Sequence, residues 1–176
     1  MSRSVFSSHS HRYRRGQRGG IPPWLWLVFA AVLVVADRLT KLAVTANMQL
    51  NEDFPVLGPF LHFYYLRNSG AAFSMFQNLS YGRWILVGFT VALVCVCVWV
   101  LLAGKMRTRL GNLALTLIVA GGVGNLIDRV RHGEVVDFLY VKIINFAIFN
   151  VADSFVVVGA VLLCLSFLLQ EEWGRR

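Results

Sequence analysis

Four stretches of this chain carry no charged residue for long enough to decide what it can fold into. They cover 19–36 (18 residues), 84–104 (21), 110–127 (18) and 154–170 (17). A helix needs about 20 mainly apolar residues to cross a hydrocarbon core of roughly 30 Å, and spanning segments must satisfy their own backbone. With its flanking residues each run reaches that length. The pattern predicts an α-helical integral membrane protein with four transmembrane helices, at about 24–44, 84–104, 110–128 and 151–170. They form one domain over 24–170. Composition agrees: 57% of the 176 residues are hydrophobic and 15% charged, where a soluble domain carries about a quarter charged. A cleaved signal peptide fits the first run less well. Asp37, Arg38 and Lys41 follow it in place of a small-residue cleavage site, and three further spans come after.

The formal charge is +8, and its placement decides its meaning. Five Arg lie in the tail 1–23, Lys105, Arg107 and Arg109 in the short link, and Arg175 and Arg176 at the end. Only Glu171 and Glu172 oppose these ten cations, so they account for the whole excess. The positive-inside rule then places both termini and the link in the cytoplasm. Basicity is therefore topological and not a sign of nucleic acid, although the tail, which we expect to be unstructured, can meet anionic lipid. Residues 171–176 form a second cytoplasmic tail. Cys95, Cys97 and Cys164 sit within apolar runs and outline neither a metal site nor a disulfide framework.

The extracytoplasmic segments, about 45–83 and 129–150, have a different texture. Residues 60–66 and 135–144 are rich in aromatic and β-branched side chains, which predicts strands in a small sheet at the membrane surface. The same aromatics suit an interfacial belt. Asn68-Ser69-Gly70 marks a turn before the apolar segment 71–76.

Four carboxylates stand where ionisation is costly: Asp37, Asp128, Asp137 and Asp153. Lys41 is one turn after Asp37, in the favourable acid-before-base order, and Arg38 is a second possible partner. Asp128 adjoins Arg129 and shares a helix face with Asn125, which suits scaffolding better than proton traffic. The run Gly121-Gly122-Val123-Gly124 ahead of it permits close helix approach. Asp137 has no cation nearer in sequence than Lys142. Asp153 opens the last helix, where Asn150 can cap and where a capping carboxylate is the plain alternative. Brought together in an apolar setting, Asp137 and Asp153 cannot both ionise and would share a proton. One can then deprotonate water while the other protonates a carbonyl oxygen or leaving amine, which is aspartyl-protease chemistry.

Other constellations are weaker. His132, Glu134 and Asp137 can be written as metal ligands, but the zincin His-Glu-x-x-His pattern does not occur and a polar turn explains them better. Ser154 with Lys142, and Ser74 with Lys41, imitate Ser–Lys pairs. A small transporter would place charges nearer the midplane and show paired repeats. A Gly-x-Gly-Asp protease would need Asp where this chain has Asn125. A structural assembly factor is a third alternative.

The residues also resemble a family, the bacterial lipoprotein signal peptidases or signal peptidase II, from Trp24 to Leu169. Four blocks carry the resemblance in order: Asp37-Arg38-Leu39-Thr40-Lys41; Asn68-Ser69-Gly70-Ala71-Ala72-Phe73-Ser74; Gly121 to Arg129 with His132-Gly133-Glu134-Val135-Val136-Asp137-Phe138; and Phe149-Asn150-Val151-Ala152-Asp153-Ser154. It implies a cofactor-free, metal-independent aspartic endopeptidase of the bacterial plasma membrane. Such enzymes cut signal peptides from prolipoproteins before the diacylglyceryl-modified cysteine. By the same resemblance the catalytic dyad falls on Asp137 and Asp153. Asn68, Gly70, Asn125, Asp128, Arg129, Asn150, Ala152, Asp37 and Lys41 match positions that line or brace the site. The resemblance further implies an extracytoplasmic β-cradle, a short surface helix after Asn68, membrane lipid as a partner and inhibition by globomycin-type cyclic peptides. The basic tail of about 20 residues exceeds what topology needs.

Overall fold

The computed structural model describes residues 21–70, 81–106 and 108–174, with side chains through Leu169. The apolar segment 71–76, the surface helix expected after Asn68, Ser74 and nearly all of the basic tail lie outside the described residues. Among the described residues four long helices and three strands occur in the order α1 (Pro23–Asn47), β1 (Asp53–Leu57), β2 (Leu61–Asn68), α2 (Gly82–Leu102), α3 (Arg109–His132), β3 (Val135–Val141), a 3-10 turn (Lys142–Ile144) and α4 (Val151–Gly174).

By length and composition three of the described helices are able to cross a membrane: α2, α3 and the 151–169 part of α4, with mean hydropathies of 2.9, 1.7 and 2.4. The fourth long helix, α1, opens on Pro23 at a position where a missing N–H costs nothing. It carries Asp37, Arg38 and Lys41 in its C-terminal half.

The least apolar of those three spans is the innermost. Within the membrane-crossing windows 61% of α3 is buried, against 11% of α2 and 17% of α4, and α1, α2 and α4 all pack on it. Small residues make this possible. A Cβ added at Gly121 would lie 2.2 Å from the Ala152 carbonyl oxygen, and one at Gly122 would lie 2.8 Å from Val94 Cγ2. Around that seam Ala30, Cys97, Leu101, Leu115, Ile118, Val119 and Ala120 form the apolar core.

The helix α3 runs one turn past the expected end at 128. Hydropathy falls there, but the helix stops where its cap is: Gly133 takes the left-handed conformation (φ +80°) and its N–H closes on the Arg129 carbonyl. Glycine is required, because φ is positive and a Cβ would also strike Arg83. Similarly, α4 continues to Gly174 through part of the segment read as a tail.

The sheet is antiparallel in the order β1-β2-β3. The strands expected at 60–66 and 135–144 are β2 and β3, the latter ending in the 3-10 turn. β1 was not foreseen: it contains Pro55 and is exposed throughout, as suits an edge strand. Tyr65 and Phe138 pack with Val44 of α1 and join sheet to helices. Asp53 ties the strands together, bonding His62 Nδ1 on β2 and Lys142 Nζ (2.8 Å) just after β3. Lys142 and then His62 hold the Asp53 carboxyl below the usual carboxylate range.

Candidate active site

The site grows from how β3 ends and α4 begins. After β3 the chain turns back so that the Phe149 N–H and carbonyl both bond Leu139, with Phe138 N–H also donating to the Phe149 carbonyl. This fastens Asn150 beside Asp137. Asn150 then caps α4: its Oδ1 accepts from Asp153 N–H (2.9 Å), while Asp153 Oδ2 accepts from Asn150 N–H (3.1 Å). This reciprocal pair is a capping box. The capping role weighed for Asp153 is therefore real, and it fixes the carboxylate at the helix start.

Two asparagines bridge the two carboxylates. Asn150 Nδ2 donates to Asp137 Oδ1 (2.7 Å) and to Asn125 Oδ1 (3.0 Å), and Asn125 Nδ2 donates to Asp153 Oδ1 (2.7 Å). Across the sheet Leu66 stands opposite Asp137 and Asn68 opposite Val135, so Asn68 is the diagonal neighbour of Asp137 on one face. Its Nδ2 reaches Asp137 Oδ2 at 2.9 Å, and its Oδ1 accepts the Gly70 N–H. Asp137 is 2% exposed. Burial pushes its carboxyl up to about 7, with the charge of Asp153 adding to the rise and the Asn68 and Asn150 amides opposing it.

Beneath this lies a buried charge cluster. Lys41 Nζ is 2.9 Å from each of Asp37 Oδ2, Asp128 Oδ2 and Asn125 Oδ1. Asn125 Oδ1 accepts a hydrogen bond from the ammonium, and the two carboxylates face it at ion-pair distance. Asp37 Oδ1 accepts the Ala152 N–H (3.0 Å), so α1 supplies a second cap to α4. The expected Asp37–Lys41 pair is present. The partner of Asp128 is a correction: Arg38 and Lys41 of α1 hold it, and Arg129 does not. Consecutive helix residues do not face one another, and Arg129 Nη2 instead donates to the Gly70 carbonyl (3.3 Å). Asp37 accordingly loses Arg38 as its second possible partner.

Asp137 and Asp153 both open onto a cavity of about 650 Å³. Asn68 and Arg129 line it too, with Leu66, Val135, Phe146, Phe149, Val156 and Val157 among its apolar walls. Sequence reasoning missed those walls, since they read as ordinary strand and span residues. It also missed the Asp53 cluster, whose members lie on three separate elements. Asn125, Asn150, Ala152, Asp37, Lys41 and Asp128 lie beneath the cavity, not around it. The Ser–Lys reading fails for Ser154, whose hydroxyl donates to the Asn150 carbonyl while Lys142 serves Asp53. Among the described residues no three of His, Cys, Asp or Glu cluster as metal ligands, so His132, Glu134 and Asp137 do not form that set.

Comparison with known proteins gives one answer. The family model for signal peptidase (SPase) II, Peptidase_A8, matches residues 29–169. A lipoprotein signal peptidase of Shewanella loihica is 44% identical over 156 residues, covering 85% of this chain and 88% of that protein. One from Streptococcus agalactiae serotype Ia is 37% identical over 148 residues, covering 84% and 94%. A bacterial membrane enzyme solved by the in meso method at 2.3 Å superposes with a TM-score of 0.77 at 30% identity, over 87% of this chain and 92% of that one. With the match running through nearly all of the described helices and strands, the chain belongs to the signal peptidase II family of aspartic peptidases.

Proposed function

We propose that this chain removes the signal peptide of bacterial prolipoproteins by hydrolysing the bond before the diacylglyceryl-modified cysteine, with Asp137 and Asp153 as the catalytic pair. The observation that carries the proposal is that both carboxylates open on one apolar-walled cavity while a bridge of two asparagines, Asn150 and Asn125, links them. The relatives' shared name, lipoprotein signal peptidase, supplies the substrate class.

The chemistry needs one proton on the pair at the start. Burial favours that proton on Asp137, whose carboxyl is raised to about 7. Asp153 then takes a proton from water as the oxygen attacks the scissile carbonyl. Asp137 gives its proton to the developing oxyanion. Collapse of the tetrahedral adduct breaks the C–N bond, the amine takes a proton from Asp153, and Asp137 regains the hydroxyl proton. Atoms and charge return to the starting state with no covalent enzyme intermediate. Asn68 and Asn150 position Asp137, Asn125 positions Asp153, and the Lys41 cluster braces the start of α4. Arg129 and Gly70 line or brace the cavity rim.

In this reading residues 24–170 are one membrane domain of four spans, both termini are cytoplasmic and the site lies at the extracytoplasmic edge of the plasma membrane. The substrate reaches the cavity laterally from the lipid, and globomycin-type cyclic peptides compete for it. The outer edge of β3 ahead of Phe138 and Leu139, which Phe149 already pairs, gives the cleavage segment a place to unwind.

A gel-shift assay in detergent with a diacylglyceryl-modified prolipoprotein tests this. Wild type is expected to cleave, and Asp137→Asn and Asp153→Asn each to fold and lose cleavage. Normal cleavage by either variant would refute the pair.

A further inference from the structure

Seven Lys or Arg residues lie between 38 and 142 outside the 105–109 link. Six are engaged, by the partners given above or, for Arg67 and Arg83, by the Tyr65 hydroxyl and the Trp84 ring. Of these seven, Arg131 alone has no side-chain ion pair, hydrogen bond or ring contact among the described residues. It is exposed and sits in the last turn of α3.

Arg131 stands at one end of a groove of about 460 Å³ between α1 and α3. Leu126, Ile127 and Val130 form its apolar wall, with Arg38 facing them from α1. Arg38 also borders a smaller polar recess of about 210 Å³ on the sheet side, which Arg67 and His132 enter. Neither space shares a lining residue with the catalytic cavity. Charge decides what fits. The buried cluster of Asp37, Arg38, Lys41 and Asp128 cancels internally, and Glu134 stands against Arg67, so the unbalanced charge at the groove is the positive one on Arg131. An apolar channel along a spanning helix that ends in a free guanidinium matches an acyl chain attached to an anionic headgroup.

The geometry points to a binding site for one anionic phospholipid in the α1–α3 groove, with an acyl chain along Leu126, Ile127 and Val130 and the headgroup phosphate on Arg131. Its occupant would lie against Arg38, which pairs with Asp128 of the Lys41 cluster. The site does not depend on the assignment of the catalytic pair.

Native mass spectrometry of the full chain, released from detergent, provides the test. The additions are phosphatidylglycerol, phosphatidylcholine with the same acyl chains, or inorganic phosphate. Wild type should retain phosphatidylglycerol about fivefold better than phosphatidylcholine, the contribution of one cation at a membrane surface. Arg131→Gln should bring that ratio near one, whereas Arg83→Gln should leave it unchanged. Val130→Trp, which fills the groove and spares Arg131, should reduce retention of both lipids. Equal retention of the two lipids by wild type would overturn the proposal. So would an undiminished preference in Arg131→Gln, or displacement of the lipid by inorganic phosphate.

Discussion

Asn150 shows how much one side chain can organise. Its amide bonds Asp137 and Asn125 and its carbonyl oxygen caps α4, while the residue is 0% exposed. Asn150→Ala removes a cap, worth about 1 kcal/mol, and leaves buried acceptors short of a donor, at about 1–3 kcal/mol. Its melting temperature in detergent should fall by several degrees and cleavage should drop with it. Asn150→Asp separates the two roles. Aspartate caps as well as asparagine but sets a buried carboxylate against Asp137 Oδ1 and Asn125 Oδ1 with no donor between them, so this variant should melt no higher than Asn150→Ala although it keeps the cap, and should fail to cleave. Asp137 itself makes stability depend on pH. Its carboxyl sits at about 7 in the folded chain against an ordinary 3.8. From about pH 4 to about 7 the unfolded chain has lost this proton and the folded chain keeps it. Stability therefore falls as pH rises through that window and levels off above it, by on the order of 4 kcal/mol at most. Asp137→Asn lacks this loss, so the melting difference between variant and wild type should move in the variant's favour from pH 4 to pH 8; a constant difference would show that Asp137 titrates in its ordinary range. The sequence exposed the Asp37–Lys41 pair and the Asn150 cap because both are local. The true partners of Asp128, Arg38 and Lys41, lie on α1, far away in sequence, and adjacency to Arg129 concealed them.

At the scale of elements, approach between helices decides where the site residues meet. The Gly121–Ala152 contact sets the distance of α3 from the first turn of α4, and Gly124 leaves room for the Asp37 carboxylate, whose Oδ2 would be 2.7 Å from an added Cβ. Gly121→Ala pushes a methyl into backbone, so it should destabilise by about 1–3 kcal/mol and misplace Asn125 relative to Asp153, lowering both melting temperature and cleavage rate. Gly88→Ala in α2, where a Cβ meets nothing within 4 Å, is the control and should leave both unchanged. Equal effects of the two would mean that helix propensity and not this contact governs. The glycine run was legible as a close-approach seam, but which helix it admitted was not. Helix ends and strands were legible only in part, for separate physical reasons. Hydropathy measures what lipid tolerates, so it ended α3 at its first charges, whereas the Gly133 cap ends it a turn later. Pro55 and full exposure removed from β1 the alternation by which strands are read.

Over the whole molecule the charges divide into two populations with different physics. Those at the termini and the 105–109 link are unbalanced, while the remaining seven basic and seven acidic residues cancel in number. The sequence revealed this division but not that α3 would be central, since burial by other helices leaves no mark on a hydropathy profile except a lower mean. The division predicts an orientation. Because unbalanced Lys and Arg stay cytoplasmic, the sheet, the cavity and Tyr81 at the start of α2 face outward, and Lys105 beyond its other end faces inward. A cysteine-free background is needed first. Cys95 and Cys164 lie exposed on helix surfaces, so alanine should be tolerated there, while at Cys97, packed in the apolar core, alanine should cost about 1 kcal/mol. Tyr81 is 76% exposed, and Lys105 is exposed with its ammonium over the Trp99 ring. In intact cells a membrane-impermeant maleimide should label Tyr81→Cys and leave Lys105→Cys unlabelled until the cells are lysed. The opposite pattern would place the cavity on the cytoplasmic side. A peptidase acting there would meet its substrate before export, so the orientation and the proposed substrate would fall together.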